Sequence, residues 1–158
     1  HRKFLIVFDN THECEIAAMF GAMRARAVGA GLVILRTAQT AGFAHWRGLD
    51  EEMQAEARDA ALFEARSLAE RIKNKIGIDA EIIVKDGQAV PAISEVVDND
   101  NAIKVLVLAS GSEKKRGPGP LVSRLAKGKP LANRPLAVTV VPGRLTESEL
   151  NEMGGFDS

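Results

Sequence analysis

The sequence predicts an α/β domain in which a five-stranded parallel sheet lies between helices. Its strands appear as continuous apolar runs, which are typical of strands buried on both faces. Helical patterns alternate with these runs, and right-handed crossovers then place helices on both faces of the sheet. A chain of 158 residues suits one such domain. The predicted strands are residues 4–8, 32–35, 80–84, 104–109 and 136–141.

The first strand is followed by polar residues that predict the start of a helix. Asp9 closes the strand, and either Asn10 or Thr11 can cap the helix. Apolar residues in this helix recur at spacings of four, three and four, which predicts one stripe facing the core. The stripe consists of Ile16, Phe20, Met23 and Ala27.

The second strand leads into the longest irregular segment, residues 37–49. His45 and Trp46 lie there, and two interpretations stay open: Trp46 anchors the loop by packing, or the pair covers a ligand cleft. Asp50 is predicted to cap a long helix, and Pro91 to lie in the first turn of the helix after the third strand. The core positions of the long helix are Ala57, Ala61, Ala65, Leu68, Ile72 and Ile76.

The segment after the fourth strand has the parts of an anion site. Small residues let a ligand approach the backbone, and a following helix start supplies unpaired N–H groups and a positive dipole end. Ser123 adds a hydroxyl near that helix start. Lys114, Lys115 and Arg116 form a basic triplet in the loop, which is either a solvated surface or a phosphate clamp. The loop residues are Ser110, Gly111, Ser112, Lys114, Lys115 and Arg116.

Composition excludes several function classes. Lys plus Arg and Asp plus Glu both number 21, and a formal net charge of zero argues against a nucleic-acid partner and against membrane attraction. No apolar run approaches the ~20 residues that cross a bilayer. The single cysteine cannot form an internal disulfide, and no signal peptide is visible before the first strand. We therefore expect a cytoplasmic domain.

Neither a metal site nor a catalytic residue is assigned. Asp9, His12, Glu13 and Cys14 include metal-ligand types, but consecutive residues at a helix start point in different directions. Cys14 has no base placed to activate it. A helix cap beside a buried thiol is the favoured interpretation of this cluster.

The loop after the fourth strand resembles the universal stress protein family. Nucleotide-binding members carry G-x2-G-x9-G-[S/T] there, and Ala109, Ser112, Val122 and Ser123 occupy the four motif positions. The spacing is kept, all three glycines are replaced, and the final hydroxyl matches. The resemblance extends to further positions between residues 3 and 141, namely Asp9, Gly87, Pro91 and Asn133-Arg134-Pro135.

This resemblance implies a single Rossmann-like domain with strand order 3-2-1-4-5, spanning residues 3–143. Residues 144–158 are then a C-terminal extension, in which Thr146 and Glu149 form a capping-box pattern for a short helix. The fifth strand, Leu136-Ala-Val-Thr-Val-Val141, lies at the sheet edge and is expected to pair with its mate in a homodimer. We expect the tail to pack across that strand.

The resemblance also implies a site for ATP or AMP at the carboxyl ends of the first, second and fourth strands. Asp9 would face the ribose or adenine, and the backbone near Thr37 would lie beside it. Ser110 and Gly111 belong to the loop that the phosphates approach, and Mg²⁺ would come only with the nucleotide. The end of the fourth strand and the phosphate side supply Leu108, Ala109, Ser112, Val122 and Ser123.

Val122 is the departure expected to matter most. A β-branched residue does not readily adopt a positive φ, and its side chain would stand where a phosphate lies. Gly117 and Gly119 offer flexibility from a rearranged loop, but Pro118 and Pro120 remove two N–H donors.

Three function classes follow from these observations. The first is a stress-response protein that binds an adenine nucleotide at a degenerate site. The alternative is a dimeric regulatory module of the same fold that binds no nucleotide. An ATP-using enzyme is the third and least favoured, because the first strand is followed by Asp9-Asn-Thr-His12 where related hydrolases carry Ser-Gly-Gly-x-Asp-Ser. We expect a binding protein rather than an enzyme. Weak ATPase activity would be compatible with this expectation.

Overall fold

The computed structural model describes residues 1–38, 47–111 and 119–155, and the side chains of residues 47–50 are not among the described groups. Within these ranges, no helix is long and apolar enough to span a bilayer. Strands and helices alternate along the chain. They are β1 (Lys3–Phe8), α1 (His12–Ala27), β2 (Gly31–Ala38), α2 (Arg47–Ile76), β3 (Ala80–Asp86), α3 (Ala89–Asn99), β4 (Ile103–Ser110), α4 (Pro120–Ala126), β5 (Ala137–Pro142) and α5 (Glu147–Gly154).

The strands form one parallel sheet in the order β3-β2-β1-β4-β5, which confirms the predicted fold. β1 lies at the centre, where Leu5 and Ile6 are fully buried on opposite faces. Each face packs into its own core. The α1-side cluster includes Ile6, Phe8, Met23, Leu68, Val107 and Leu150. The α3-side cluster includes Leu5, Val7, Leu35, Ile93, Leu108 and Leu131.

Two predicted boundaries around the second strand are wrong. β2 continues to Ala38, because its backbone stays paired with β3 as far as Asp86 although its side chains become polar. Thr37 therefore belongs to a strand and not to the loop. α2 begins at Arg47, so the predicted cap at Asp50 lies inside the helix. His45 and Trp46 lie outside the described residues.

The predicted core stripe of α1 is also wrong in part. Met23 is buried, and the half-buried Ile16 and Phe20 pack against the α1-side cluster, but Ala27 is exposed. Most of the buried face is made of small side chains, which carry little weight in an apolar pattern. These buried residues are Cys14, Ala17, Ala18, Met19, Gly21, Ala22, Met23 and Ala25.

Small residues form the buried face of α1 because this helix lies very close to the sheet. A Cβ atom at Gly21 would lie 3.2 Å from Ile6 Cδ1 and 3.3 Å from Val107 Cγ2, closer than side chains normally approach. Large residues on this face would push the helix away from β1 and β4. The stripe predicted for α2 fits better, since Ala61, Ala65, Leu68, Ile72 and Ile76 are buried and only Ala57 is half-buried.

The C-terminal segment forms α5 with the capping box that its sequence predicts. Glu149 N–H donates to Thr146 Oγ1 at 3.2 Å, and Thr146 N–H donates to Glu149 Oε1 at 3.1 Å. The helix packs on α1 and not across β5, so the predicted place of the tail is wrong. Its buried leucine, Leu150, joins the α1-side cluster, while Val138 and Val140 on β5 stay partly exposed.

The two faces of α2 provide a stability test. Leu68 is fully buried, whereas Phe63 on the same helix is 72% exposed. We expect Leu68→Ala to lower the free energy of unfolding by about 2–5 kcal/mol, because the lost contacts leave a cavity. Phe63→Ala is the control, with an expected change within about 0.5 kcal/mol. Urea unfolding measures both, and equal effects would contradict this packing.

Candidate functional site

β1 and β4 separate at their carboxyl ends. Their ladder ends at the pair Ile6 and Val107, although β1 continues to pair with β2 as far as Phe8 and β4 with β5 as far as Ser110. α1, which follows β1 along the chain, packs on one face of the sheet, and α4, which follows β4, packs on the other. An opening between two such strands, where the strand order reverses, is where open α/β sheets bind ligands.

A tight turn at Asp9 borders this opening on the β1 side. Asn10 has a φ of 63°, a left-handed conformation that asparagine tolerates better than most residues. The turn lets both the backbone N–H and the hydroxyl of Thr11 donate to Asp9 Oδ1, at 3.0 and 2.6 Å. Thr11 Oγ1 also accepts from the N–H of Cys14 at 3.3 Å, so Thr11 is the cap of α1.

The turn holds Asp9 as a carboxylate. Desolvation acts to raise the pKa of Asp9, but hydrogen bonds from Cys14 and Thr11 and the charge of Arg36 outweigh it, so the pKa lies below its ordinary value. Burial and the neighbouring Asp9 raise the pKa of Cys14 to about 12. The thiol is therefore protonated at neutral pH and is a poor nucleophile.

Arg36 is a site residue that the sequence analysis missed. It lies next to Thr37 near the carboxyl end of β2, and its Nε and Nη2 contact Glu64 Oε2 of α2 at 2.9 and 2.8 Å. Its Nη1 donates to the carbonyl oxygen of Thr37 at 2.7 Å. The Thr37 carbonyl thus already has one donor, and a ligand must use its second lone pair. A lone arginine interrupting an apolar strand was the available signal.

The end of β4 offers backbone and not large side chains. Leu108 is 1% exposed and belongs to the α3-side cluster, whereas Ala109 packs on the α1-side cluster. Ser110 and Gly111 follow and are half-buried. Any ligand contact at Leu108 is therefore limited to its main chain.

Gly143 is a second residue that the sequence analysis missed. It is buried just beyond β5, where an added Cβ would lie 2.9 Å from the carbonyl oxygen of Ser110 and would overlap the Cβ of Glu13. The exit of β5, the end of β4 and the first turn of α1 therefore meet at one point. A glycine directly after a strand was the only sequence signal.

Of the two motif positions on α4, Val122 departs from what the sequence predicts, whereas Ser123 lies near the helix start as expected. Val122 is the third residue of the helix, and its half-buried side chain packs against the α3-side cluster. The conformational conflict expected at Val122 does not arise, because the positive φ of 95° belongs to Gly119, the helix cap. Ser123 donates its N–H to the carbonyl of Gly119 at 3.0 Å. Ser112 lies outside the described residues, as does the basic triplet 114–116.

The sheet brings several predicted site residues to one edge. Phe8 pairs with Arg36, so Asp9 directly after β1 and Thr37 on β2 each follow that pair. Ser110 and Gly111 lie across the opening at the end of β4. Among the side chains described, no three His, Cys, Asp or Glu residues are grouped in a way that could hold a metal ion.

Thr11 offers a test of the Asp9 turn. We expect Thr11→Val to lower the free energy of unfolding by about 1 kcal/mol through loss of the helix cap, and to raise the pKa of Asp9 because a donor to Oδ1 disappears. Thr11→Ser, which keeps the hydroxyl, should change neither quantity much. Urea unfolding and an NMR titration of the Asp9 carboxyl carbon give the two values.

The effect of Asp9 ionisation on stability changes with pH in a defined direction. The lowered pKa of Asp9 means that its ionisation stabilises the fold at pH values above the ordinary carboxyl pKa. This contribution is lost as the pH falls through the lowered value, and Thr11→Val should make it smaller. An unchanged pKa in the valine variant would contradict the proposed hydrogen bonding.

Comparison with known proteins agrees with this geometry. The model of the universal stress protein family matches residues 1–123. Universal stress protein UspA from Lactobacillus plantarum is 18% identical, with 89% of this chain and 97% of that chain covered and a TM-score of 0.66. No curated protein matches the chain.

Two further solved structures share the fold. A universal stress protein in complex with cAMP is 18% identical, with 89% of this chain and 96% of that chain covered and a TM-score of 0.63. A protein of the same family from Burkholderia pseudomallei is 13% identical over 89% of this chain and 95% of that chain, also with a TM-score of 0.63. The match over residues 1–123 is the finding that assigns the family, and the chain belongs to the universal stress proteins.

Proposed function

We propose that the chain is a stress-response protein that binds an adenine nucleotide, AMP or ATP, in the opening between β1 and β4. One observation carries the proposal: the β1–β4 ladder ends at Ile6 and Val107, with a carboxylate turn on one side and a small-residue loop on the other. That combination can hold a sugar hydroxyl and a phosphate at the same time. A relative whose structure contains cAMP supports the ligand class.

Asp9 would accept a hydrogen bond from a ribose hydroxyl or from the base. Its carboxylate has a lowered pKa, so it is ionised at neutral pH and acts only as an acceptor. A phosphate would be repelled there, which directs the nucleoside toward Asp9 and the phosphate toward β4. The backbone of Thr37 would contact the base through the lone pair that Arg36 leaves free.

The phosphate would lie against the end of β4. Ser110 has a small side chain and Gly111 has none, so that a ligand can approach their main chain closely. The hydroxyl of Ser123 makes no hydrogen bond with any described residue and is available as a donor. We also propose contacts from Leu108 and Ala109 through their main chain and from Ser112 through its hydroxyl. Mg²⁺ would accompany only the nucleotide.

Calorimetric titration with AMP and ATP tests the proposal. We expect Asp9→Ala to weaken binding by about 1–2 kcal/mol, the scale of a lost hydrogen bond to a charged group, or about 5- to 30-fold. Asp79→Ala is the matched control, because this 88% exposed carboxylate lies before β3, at the opposite end of the sheet. Its affinity should equal that of the unmodified protein.

Two results would count against the nucleotide. If neither AMP nor ATP produces heat on titration, the protein does not bind these nucleotides. If Asp9→Ala and Asp79→Ala lose equal affinity, Asp9 does not contact the ligand. Thermal unfolding of each variant, followed by circular dichroism, excludes global unfolding as the cause.

We also propose a homodimer formed through β5, a cytoplasmic location, and binding rather than catalysis. β5 pairs only with β4 among the described strands, and Val138 and Val140 are 36% and 41% exposed. An apolar edge of this kind invites pairing with a second strand. The high pKa of Cys14 leaves its thiol unsuited to nucleophilic chemistry. We place the domain at residues 3–143, with 144–158 as an extension.

The β5 edge also favours the second candidate function, a dimeric regulatory module that binds no nucleotide. This protein would have the same fold and the same β5 contact, and its opening between β1 and β4 would stay without ligand. Calorimetric titration distinguishes the two candidates, because only the first binds nucleotide. Both are expected to be dimers.

Sedimentation equilibrium at micromolar concentration tests the dimer. We expect a dimer for the unmodified chain and a monomer for Val140→Lys, because a lysine on the edge strand opposes strand pairing. Val28→Lys provides the control, since Val28 is 37% exposed directly after α1, where its carbonyl oxygen accepts from Arg2 just before β1. A monomeric unmodified protein, or dissociation by both variants, would contradict an interface at β5.

A further inference from the structure

The segment after β5 follows α1 and is fixed to it near both ends. At its start, Gly143 contacts Glu13 in the first turn of α1. At its end, the carbonyl of Gly154 accepts from Arg24 Nη1 at 3.3 Å, and an added Cβ at Gly154 would lie 2.6 Å from the sulfur of Met23. Ten residues separate Glu13 from Met23, so the segment runs beside α1 for about 15 Å.

Only three residues connect Gly143 to α5, and two of them are held in place by contacts. Leu145 packs against the α1-side cluster, and Thr146 is the helix cap. Leu150 is 2% exposed in the same cluster, and Lys75 Nζ of α2 contacts Glu147 Oε1 at 2.7 Å. The position of Gly143 is therefore tied to the docking of α5.

Gly143 in turn touches the candidate site. It is buried against the carbonyl oxygen of Ser110, at the end of β4 where the phosphate of the proposed ligand would lie. Its lack of a side chain lets the tail, β4 and α1 approach within contact distance. A shift of Gly143 would release both Ser110 and the first turn of α1.

We propose that α5 is a positioning element of the candidate site: docked on α1, it holds Gly143 against Ser110 and thereby fixes the carboxyl end of β4. The link to a ligand rests on the proposed function, whereas the link between α5 and Ser110 does not. Because coupling between two sites is reciprocal, a ligand that orders Ser110 also favours docked α5.

The docking of α5 is suited to such coupling because few interactions maintain it. Among the described residues, one buried leucine, the packing of Gly154 on Met23, one hydrogen bond from Arg24 and one exposed ion pair hold the helix to α1 and α2. An isolated helix of eight residues is unstable in water, so that an undocked α5 also unfolds. Segments of this kind open more readily than the core of a domain.

Hydrogen exchange on the full chain tests the link between α5 and Ser110 without any ligand. We expect Leu150→Ala to speed amide exchange in α5 and also at residues 108–111. Glu152→Ala is the matched control, since Glu152 is exposed on the same helix, and it should leave residues 108–111 unchanged. Faster exchange confined to α5 would overturn the proposal.

A second variant perturbs docking from the outside. Gly154→Ala places a Cβ against Met23, so it should displace α5 without removing any core side chain, and it should again speed exchange at residues 108–111. If Leu150→Ala unfolds the chain, the result with Gly154→Ala decides whether the docking of α5 affects residues 108–111. Unchanged exchange at 108–111 despite faster exchange in α5 would again contradict the proposal.

Titration with AMP adds the functional result. We expect Leu150→Ala to weaken AMP binding by about fivefold or more, and AMP to slow exchange of α5 in the unmodified protein. If AMP binds with equal affinity to both proteins, α5 does not position the site. If AMP does not bind the unmodified protein, the nucleotide proposal fails, and the exchange data alone decide whether α5 holds Ser110.

Discussion

The separation of β1 from β4 beyond Ile6 and Val107 is the constraint on which the site depends. β1 is buried on both faces at the centre of the sheet, so its position is fixed by both clusters. The chain then leaves β1 for α1 on one face and leaves β4 for the face that α4 covers. Two strands whose exits diverge cannot stay paired to their ends, and the opening follows from this topology.

Buried parallel strands and the turn at Asp9 could be predicted from the sequence, because both depend on neighbouring residues. Strand order needed the family resemblance, since periodicity does not order strands. The roles of Arg36 and Gly143 could not be predicted, because their partners Glu64 and Ser110 are distant in sequence. The buried face of α1 was mispredicted for a different reason: small residues bury it, and they leave little apolar signal.

The departures from the family motif fall on one side of the opening. Asp9 keeps its place on the β1 side, where Thr11 and Cys14 hold it as a carboxylate. On the β4 side, the positive φ belongs to Gly119, and Val122 packs against the α3-side cluster. On the side proposed for the nucleoside, the chain thus has the carboxylate that the family resemblance implies. The side proposed for the phosphate departs from the motif and has Gly143 and the docked C-terminal segment beside it.

Mapping AMP onto the protein by amide chemical shifts tests most directly whether this opening is a ligand site. We expect saturable shifts at residues 9–11 and 108–111, on the two sides of the opening, and none along β3 or at the amino ends of the strands. Shifts confined to another surface, such as the β5 edge, or no saturable shift at millimolar AMP, would contradict it.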